Sequence, residues 1–241
     1  LSRQSLPGII KVKNYLDCPD GDIAIHFAEE ANKRIVNQSD EKYIISSAKT
    51  VENLVKKFGK NLIYASSGSV YGDKGRTSFR VIDKTFIKDN YSKSKIINEQ
   101  IVLNGGGTIL RLSNIYGKGM SSSNIMSDVI KQLSFDGPII LQNKFAIRDF
   151  VYINDVTDFI SKLIKNIVGG IFNVGSGIGM SVHQLTEIIL KISNQPNREI
   201  LSLKKSNNKS FNVLDISKSK EIYNWKPKST MPTNIKNLIK E

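Results

Sequence analysis

Tyr91 and Lys95 stand four residues apart in Asp89-Asn90-Tyr91-Ser92-Lys93-Ser94-Lys95, a stretch that continues to Glu99. If these residues open a helix, the phenol and the ammonium lie on one face, one turn apart. An ammonium beside a phenol favours the phenolate, and a phenol tuned this way exchanges a proton with a sugar or alcohol hydroxyl near neutral pH. The same residues also read as the start of an amphipathic helix with a solvated lysine face. Eight tyrosines share the chain with abundant lysine, so the spacing arises readily by chance. What surrounds the pair decides its meaning.

The elements that must position it follow from hydrophobic periodicity. Residues 22–28 read as a buried strand and residues 29–59 as mostly helical, with Gly59 placed to stop the helix. Residues 61–66 form a second buried strand that runs into the small-residue loop Ser67-Gly68-Ser69-Val70-Tyr71-Gly72. The Tyr91 helix extends to about Leu103 and Gly105-Gly106-Gly107 ends it. Strands are predicted over 108–112, 138–141, 148–153 and 170–174 and near 200. Helices are predicted over 122–134, from Asp155, from a capping box at Ser181-Val182-His183-Gln184, over 217–224 and at the terminus. Alternating strands and helices argue a parallel sheet covered on both faces, with ligands beyond the carboxyl ends of the strands. Ser67 and Asn114 both fall just past strand ends, on one edge. The Tyr91 helix is expected to meet that edge only if the loop over 73–88 crosses back.

Composition narrows the class. The 241 residues are 39% hydrophobic, enough for a sizeable core, and no apolar run approaches the ~18–20 residues of a membrane span. Leu1-Ser2-Arg3-Gln4 begins no signal peptide, and Cys18 is the only cysteine, which excludes an internal disulfide and suits a cytoplasmic protein. The net charge of +13 is mostly lysine spread along the chain, with few interleaved aromatics, so a solvated surface is expected and nucleic acid is not an expected partner. His26 and His183 with one cysteine give no metal-site spacing, and nothing suggests a Ser-His-Asp triad.

Taken in series, Ser66-Ser67-Gly68-Ser69-Val70-Tyr71-Gly72, Tyr91-x-x-Ser94-Lys95-x-x-x-Glu99, Arg111-Leu112-Ser113-Asn114-Ile115-Tyr116-Gly117, Arg148-Asp149-Phe150-Val151, Phe172-Asn173-Val174-Gly175 and Leu214-Asp215-Ile216 resemble the extended short-chain dehydrogenase/reductase family, in its nucleotide-sugar epimerase and dehydratase branch. The resemblance covers nearly the whole chain from about Asp22. It implies an α/β fold: a Rossmann-like doubly wound parallel sheet over residues 1–135, with a smaller, interleaved, mainly substrate-binding part over 136–241, some segments of which return to the first.

It also implies roles. Tyr91 is the acid/base for a sugar hydroxyl, Lys95 holds the nicotinamide ribose, and Ser67 hydrogen-bonds the same hydroxyl. His26, Phe27 and Ala28 run alongside an NAD or NADP cofactor, with Ser66 and Arg3 on the cofactor side. Asn114, Arg148 and Lys205 contact the diphosphate of a nucleotide sugar, and a homodimer is implied. Each residue has a plainer reading: Ser67 as a turn serine, Asn114 as a cap, Arg148 paired with Asp149 or Asp155, His26 as strand packing. The dehydratase members follow the loop hydroxyl with Asp-Glu. Here Gly68-Ser69 stands there, which favours an epimerase or a keto-sugar reductase. Ser47 stands where the family often has a cofactor-side asparagine, and Lys205 where it often has an arginine. The family's Gly-x-x-Gly-x-x-Gly turn does not occur before Asp22. Leu1-Ser2-Arg3 reads as the tail of the second family strand, with about thirty residues expected ahead of it. That departure motivates a second reading, a non-catalytic or cofactor-deficient member acting as a binding or regulatory module.

Overall fold

The computed structural model describes residues 18–73, 77–204 and 210–240. The chain runs β1 (Ala24–His26), α1 (Lys33–Gln38), α2 (Glu41–Phe58), β2 (Leu62–Ser67), α3 (Asn90–Asn104), β3 (Thr108–Leu112), β4 (Asn114–Tyr116), α4 (Ile125–Gln132), β5 (Ile139–Leu141), β6 (Ile147–Tyr152), α5 (Ile153–Leu163), β7 (Gly170–Val174), β8 (Gly179–Ser181), α6 (Val182–Ile192), β9 (Ile200–Ser202), β10 (Phe211–Asn212), α7 (Ser217–Tyr223) and α8 (Met231–Lys240).

The main sheet has the order β1-β2-β3-β7 with every pair parallel. Strand alternation divides its side chains between two cores. Leu62, Tyr64 and Ile109 pack against Val51, Leu54, Phe58 and Val102 of α2 and α3. Ile63, Ala65, Leu110, Leu112, Phe172 and Val174 pack on the other face against Val156, Phe159 and Leu163 of α5, with Tyr223 and Trp225. This is the doubly covered, Rossmann-like parallel sheet expected from the sequence. A second sheet, β10-β6-β4 with β8 antiparallel to β6, and the pair β5-β9 cover a third core around Met126, Phe150, Leu185 and Ile189. The chain interleaves the two: β4 leaves the first half to pair with β6, and β7 returns to the first sheet.

Three local expectations are corrected. The helical stretch before Gly59 is two helices, because Ser39 and Asp40 are extended and the Asp40 carboxylate caps α2 at Tyr43 N. Helix α4 starts only at Ile125, where the Asn124 amide oxygen accepts from Met126 N, and α5 starts at Ile153, ahead of Asp155. The loop over 73–88 does not need to cross the sheet. Phe86 N donates to Val70 O and Phe79 N to Val213 O, so its described residues over 77–88 stay on the edge where β2 ends and α3 begins.

Candidate active site

Helix α3 opens where it must for Tyr91 to face the sheet edge. The Asp89 carboxylate accepts from Ser92 N at 2.8 Å, and Ser92 Oγ accepts from Asp89 N at 3.0 Å, a reciprocal capping box. Burial pushes the Asp89 carboxyl up, but the hydrogen bonds from Ser92 and Asn37 and the charge of Lys33 outweigh it and hold it below its ordinary value. Tyr91 N donates to Asn37 Oδ1 at 2.9 Å, which ties the first turn to α1. The buried Tyr91 ring lies between two ammonium groups, Lys33 Nζ at 5.2 Å and Lys95 Nζ at 5.8 Å from its centroid.

Tyr91 and Lys95 share a cavity of about 810 Å³ with Ser66, Ser67, Asn114 and Arg148. Ser67 closes β2 and caps the following 3-10 turn, accepting from Ser69 N at 3.2 Å, with the two serine hydroxyls 3.0 Å apart. It therefore is a turn serine as well as a cavity residue. Asn114 caps no helix; its amide donates to Asp149 O at 2.9 Å, which fixes it at the start of β4. Arg148 pairs with neither acidic candidate. Its guanidinium donates to Ile147 O, Ser210 O and Ser210 Oγ, while Asp149 accepts from Ser176 and Gly177 N–H groups and Asp155 from those of Lys228 and Ser229. Ser66 donates its hydroxyl to Glu99 at 2.5 Å.

A second cavity, of about 670 Å³, adjoins the first and shares Phe27, Glu29 and Asn32 with it. His26, Phe27 and Ala28 line it, with Tyr43, Ser46, Ser47 and Thr50 of α2. His26 is also packed, its ring stacked on Tyr64 with centroids 5.9 Å apart, and burial pushes its pKa below the ordinary 6.5. Arg3 and Lys205 lie outside the described residues. Among the described residues no group of three or more His, Cys, Asp or Glu side chains could hold a metal ion, and no helix is long and apolar enough to cross a membrane.

Sequence reasoning missed Glu29. Its carboxylate accepts four hydrogen bonds: from Lys95 Nζ at 2.5 Å and Tyr64 Oη at 2.8 Å on Oε2, and from Asn98 Nδ2 at 2.6 Å and Ser47 Oγ at 2.9 Å on Oε1. Lys95 Nζ also donates to Ala65 O at 2.8 Å. Burial pushes the Glu29 carboxyl up; the Lys95 charge and the hydrogen bonds from Lys95 and Tyr64 reverse that and hold it below its ordinary range. Two signals pointed to this network. Glu29 lies three residues past the end of the parallel strand β1, where ligand-facing groups gather, and Asn98 is one turn beyond Lys95 on the same helix face.

The sequence model of the NAD dependent epimerase/dehydratase family matches residues 6–175. The dTDP-4-dehydro-6-deoxyglucose reductase of Escherichia coli is 27% identical over 227 residues, spanning 89% of this chain and 71% of that protein. The structure of RMD from Pseudomonas aeruginosa complexed with NADPH superposes with a TM-score of 0.81 at 20% identity, covering 91% of this chain and 79% of that one. UDP-glucose 4-epimerase of Thermotoga maritima, solved with UDP-glucose, gives 0.80 at 20% identity, over 91% and 76%. These relatives include a dTDP-sugar reductase and a UDP-glucose 4-epimerase, and the two solved structures share the fold of this chain. The serial motifs, the doubly covered parallel sheet and the match over residues 6–175 lead to one conclusion: the chain belongs to the NAD-dependent epimerase/dehydratase family.

Proposed function

We propose that this chain is an NAD(P)-dependent nucleotide-sugar epimerase or keto-sugar reductase that works through Ser67, Tyr91 and Lys95. The observation that carries the reading is the convergence of these three side chains with Asn114 and Arg148 on one cavity of about 810 Å³, although they come from four separate elements. The cavity walls fit a dinucleotide. Two of the three Lys95 N–H groups are taken by Glu29 and Ala65, and among the described residues the third has no protein acceptor, so it is open to a ribose hydroxyl. His26, Phe27 and Ala28 flank the adjoining cavity on that side. When bound, the nicotinamide supplies a hydride acceptor and donor.

The chain's own groups handle the proton and the substrate. Tyr91, beside two ammonium groups, takes the proton from a sugar hydroxyl as the phenolate and returns it as the phenol. Ser67, held by Ser69, hydrogen-bonds the same hydroxyl and orients it. Arg148 and Asn114 hold the diphosphate, for which a guanidinium fixed by Ser210 is well suited. Water elimination is disfavoured at residue 68. A Cβ there would stand 2.9 Å from Leu214 Cδ2 and 3.4 Å from Asn212 Oδ1, so an aspartate would enter only if the Leu214 side chain shifted.

Tyr91→Phe is the test. Turnover of a nucleotide sugar in the presence of NAD or NADP falls by about 10²–10⁴-fold, the usual worth of a positioned general acid/base, while nucleotide-sugar binding is retained. Near-normal turnover in this variant would sink the assignment. Titration of NAD and NADP into the chain separates the enzyme from a binding or regulatory module, since only the enzyme requires the dinucleotide.

A further inference from the structure

We propose that Glu29 is a positioning residue that acts through Lys95. It fixes the ammonium in one place and leaves a single N–H for ligand; this rests on Lys95 belonging to the proton-handling site described above. The argument starts from saturation. A carboxylate has about four acceptor positions, and Glu29 has four donors on it, two on each oxygen. The donors come from three different elements: Tyr64 from β2, Ser47 from α2, and Lys95 and Asn98 from α3. Glu29 is thus a hub that the fold has closed, with no acceptor position left for a ligand of its own.

The hub has one functional member. Tyr64, Ser47 and Asn98 also bond one another: Asn98 Nδ2 lies 2.8 Å from Ser47 Oγ and 3.2 Å from Tyr64 Oη. Lys95 differs in also facing the Tyr91 ring and the larger cavity. A flexible four-carbon stem would let an ammonium wander among acceptors. Glu29 and Ala65 O together take two donors and so fix the direction of the third.

The test uses the ligand-free chain and a limiting amount of acetic anhydride, with acetylation of individual lysines read by peptide mass spectrometry. Lys56, exposed on α2, is the reference. Lys218, whose ammonium donates to Ile171 O at 2.9 Å, reports general loosening. In Glu29→Gln the Lys95 to Lys56 ratio rises about ten-fold, the worth of one charge-assisted hydrogen bond, while the Lys218 ratio stays put. The glutamine fits with its oxygen still accepting from Asn98 and Ser47 and its amide nitrogen on the Lys95 side, where Tyr64 Oη can accept from it and Lys95 loses its acceptor. If Glu29→Gln fails to fold, Glu29→Asp is read instead; it keeps the charge, withdraws it by one methylene, and gives the same pattern. An unchanged Lys95 ratio, or an equal rise at Lys218, overturns the proposal. No substrate or turnover enters this measurement, so it and the Tyr91→Phe test can fail separately.

Discussion

Two glutamates, Glu99 buried and Glu29 half-buried, each grip a buried cation in this protein, and they do it in opposite surroundings. Glu99 holds Arg111 from twelve residues away in sequence, with Arg111 Nη2 at 2.7 Å and Nε at 3.0 Å, and takes the Ser66 hydroxyl as well. The Arg111 guanidinium lies 4.7 Å from the Tyr71 ring centroid and reaches Val81 O, so this pair ties α3, β3 and the loop over 73–88 into one block. Neither member lines a cavity named above. Glu29 holds Lys95 from sixty-six residues away, and both members stand on the cavity wall. The planar guanidinium, with two bonds on one carboxylate, suits a permanent tie; the ammonium, with one donor to spare, suits a group that must also meet a ligand. One pair builds the scaffold and the other aims a side chain.

Glu99→Ala gives the largest expected effect on stability. It leaves a guanidinium buried without its carboxylate, and such one-sided deletions cost about 3–5 kcal/mol. Urea unfolding followed by circular dichroism reads this loss as a lower midpoint at unchanged slope. Glu29→Ala is expected to cost less, about 1–3 kcal/mol, because water from the cavity can solvate Lys95. Equal losses at the two positions would erase the distinction between them. Acid titration sharpens it. The Glu29 carboxyl is held below its ordinary 4.5 in the folded chain, so its contribution is fully present above that value and disappears as pH falls below it. His26 is held below 6.5 by burial and has the same sign, with stability declining as pH drops beneath 6.5. Glu29→Gln therefore flattens the decline in unfolding free energy below about pH 4.5; because the Glu29 charge raises the His26 pKa, its loss also deepens the His26 part of the decline.

The legibility of these features in the sequence divides along similar lines. Periodicity placed β2, β3 and α3 within a residue or two, and the Ser181-Gln184 capping box is present as read. Those elements are long or carry their own start signals. The short strands β8 and β10 were not read, since Gly179–Ser181 and Phe211–Asn212 are strands only by pairing with β6. In the site, the motifs named the residues that meet on the larger cavity: Ser67, Tyr91, Lys95, Asn114 and Arg148. Glu29 was passed over because its partners lie eighteen to sixty-nine residues away, and a pair of adjacent glutamates in a lysine-rich chain looks like surface. Ser47 was read as a departure from a family asparagine, and the structure gives that departure a use: its hydroxyl donates to Glu29.

Deleting one hydroxyl at each carboxylate gives the most discriminating pair of variants, and its Ser47 member gives the smallest expected effect. Ser66→Ala removes a 2.5 Å bond to Glu99 between two side chains that are almost wholly enclosed. Ser66 borders the larger cavity, but Glu99 lines neither cavity and is almost wholly enclosed, so water has little access to the vacated position on the carboxylate and the loss approaches that of a hydrogen bond to a charged group, about 1.5–3 kcal/mol. Ser47→Ala removes a 2.9 Å bond to Glu29, but Ser47 lines the 670 Å³ cavity and three donors stay on the carboxylate. A water can take the vacated acceptor position, which limits the cost to about 0.5–1 kcal/mol. Lys95 keeps its grip in this variant, so dinucleotide binding by Ser47→Ala is expected within about two-fold of the parent. A loss of ten-fold or more at Ser47 would place the hydroxyl on the ligand itself and move the functional boundary from Lys95 outward to α2.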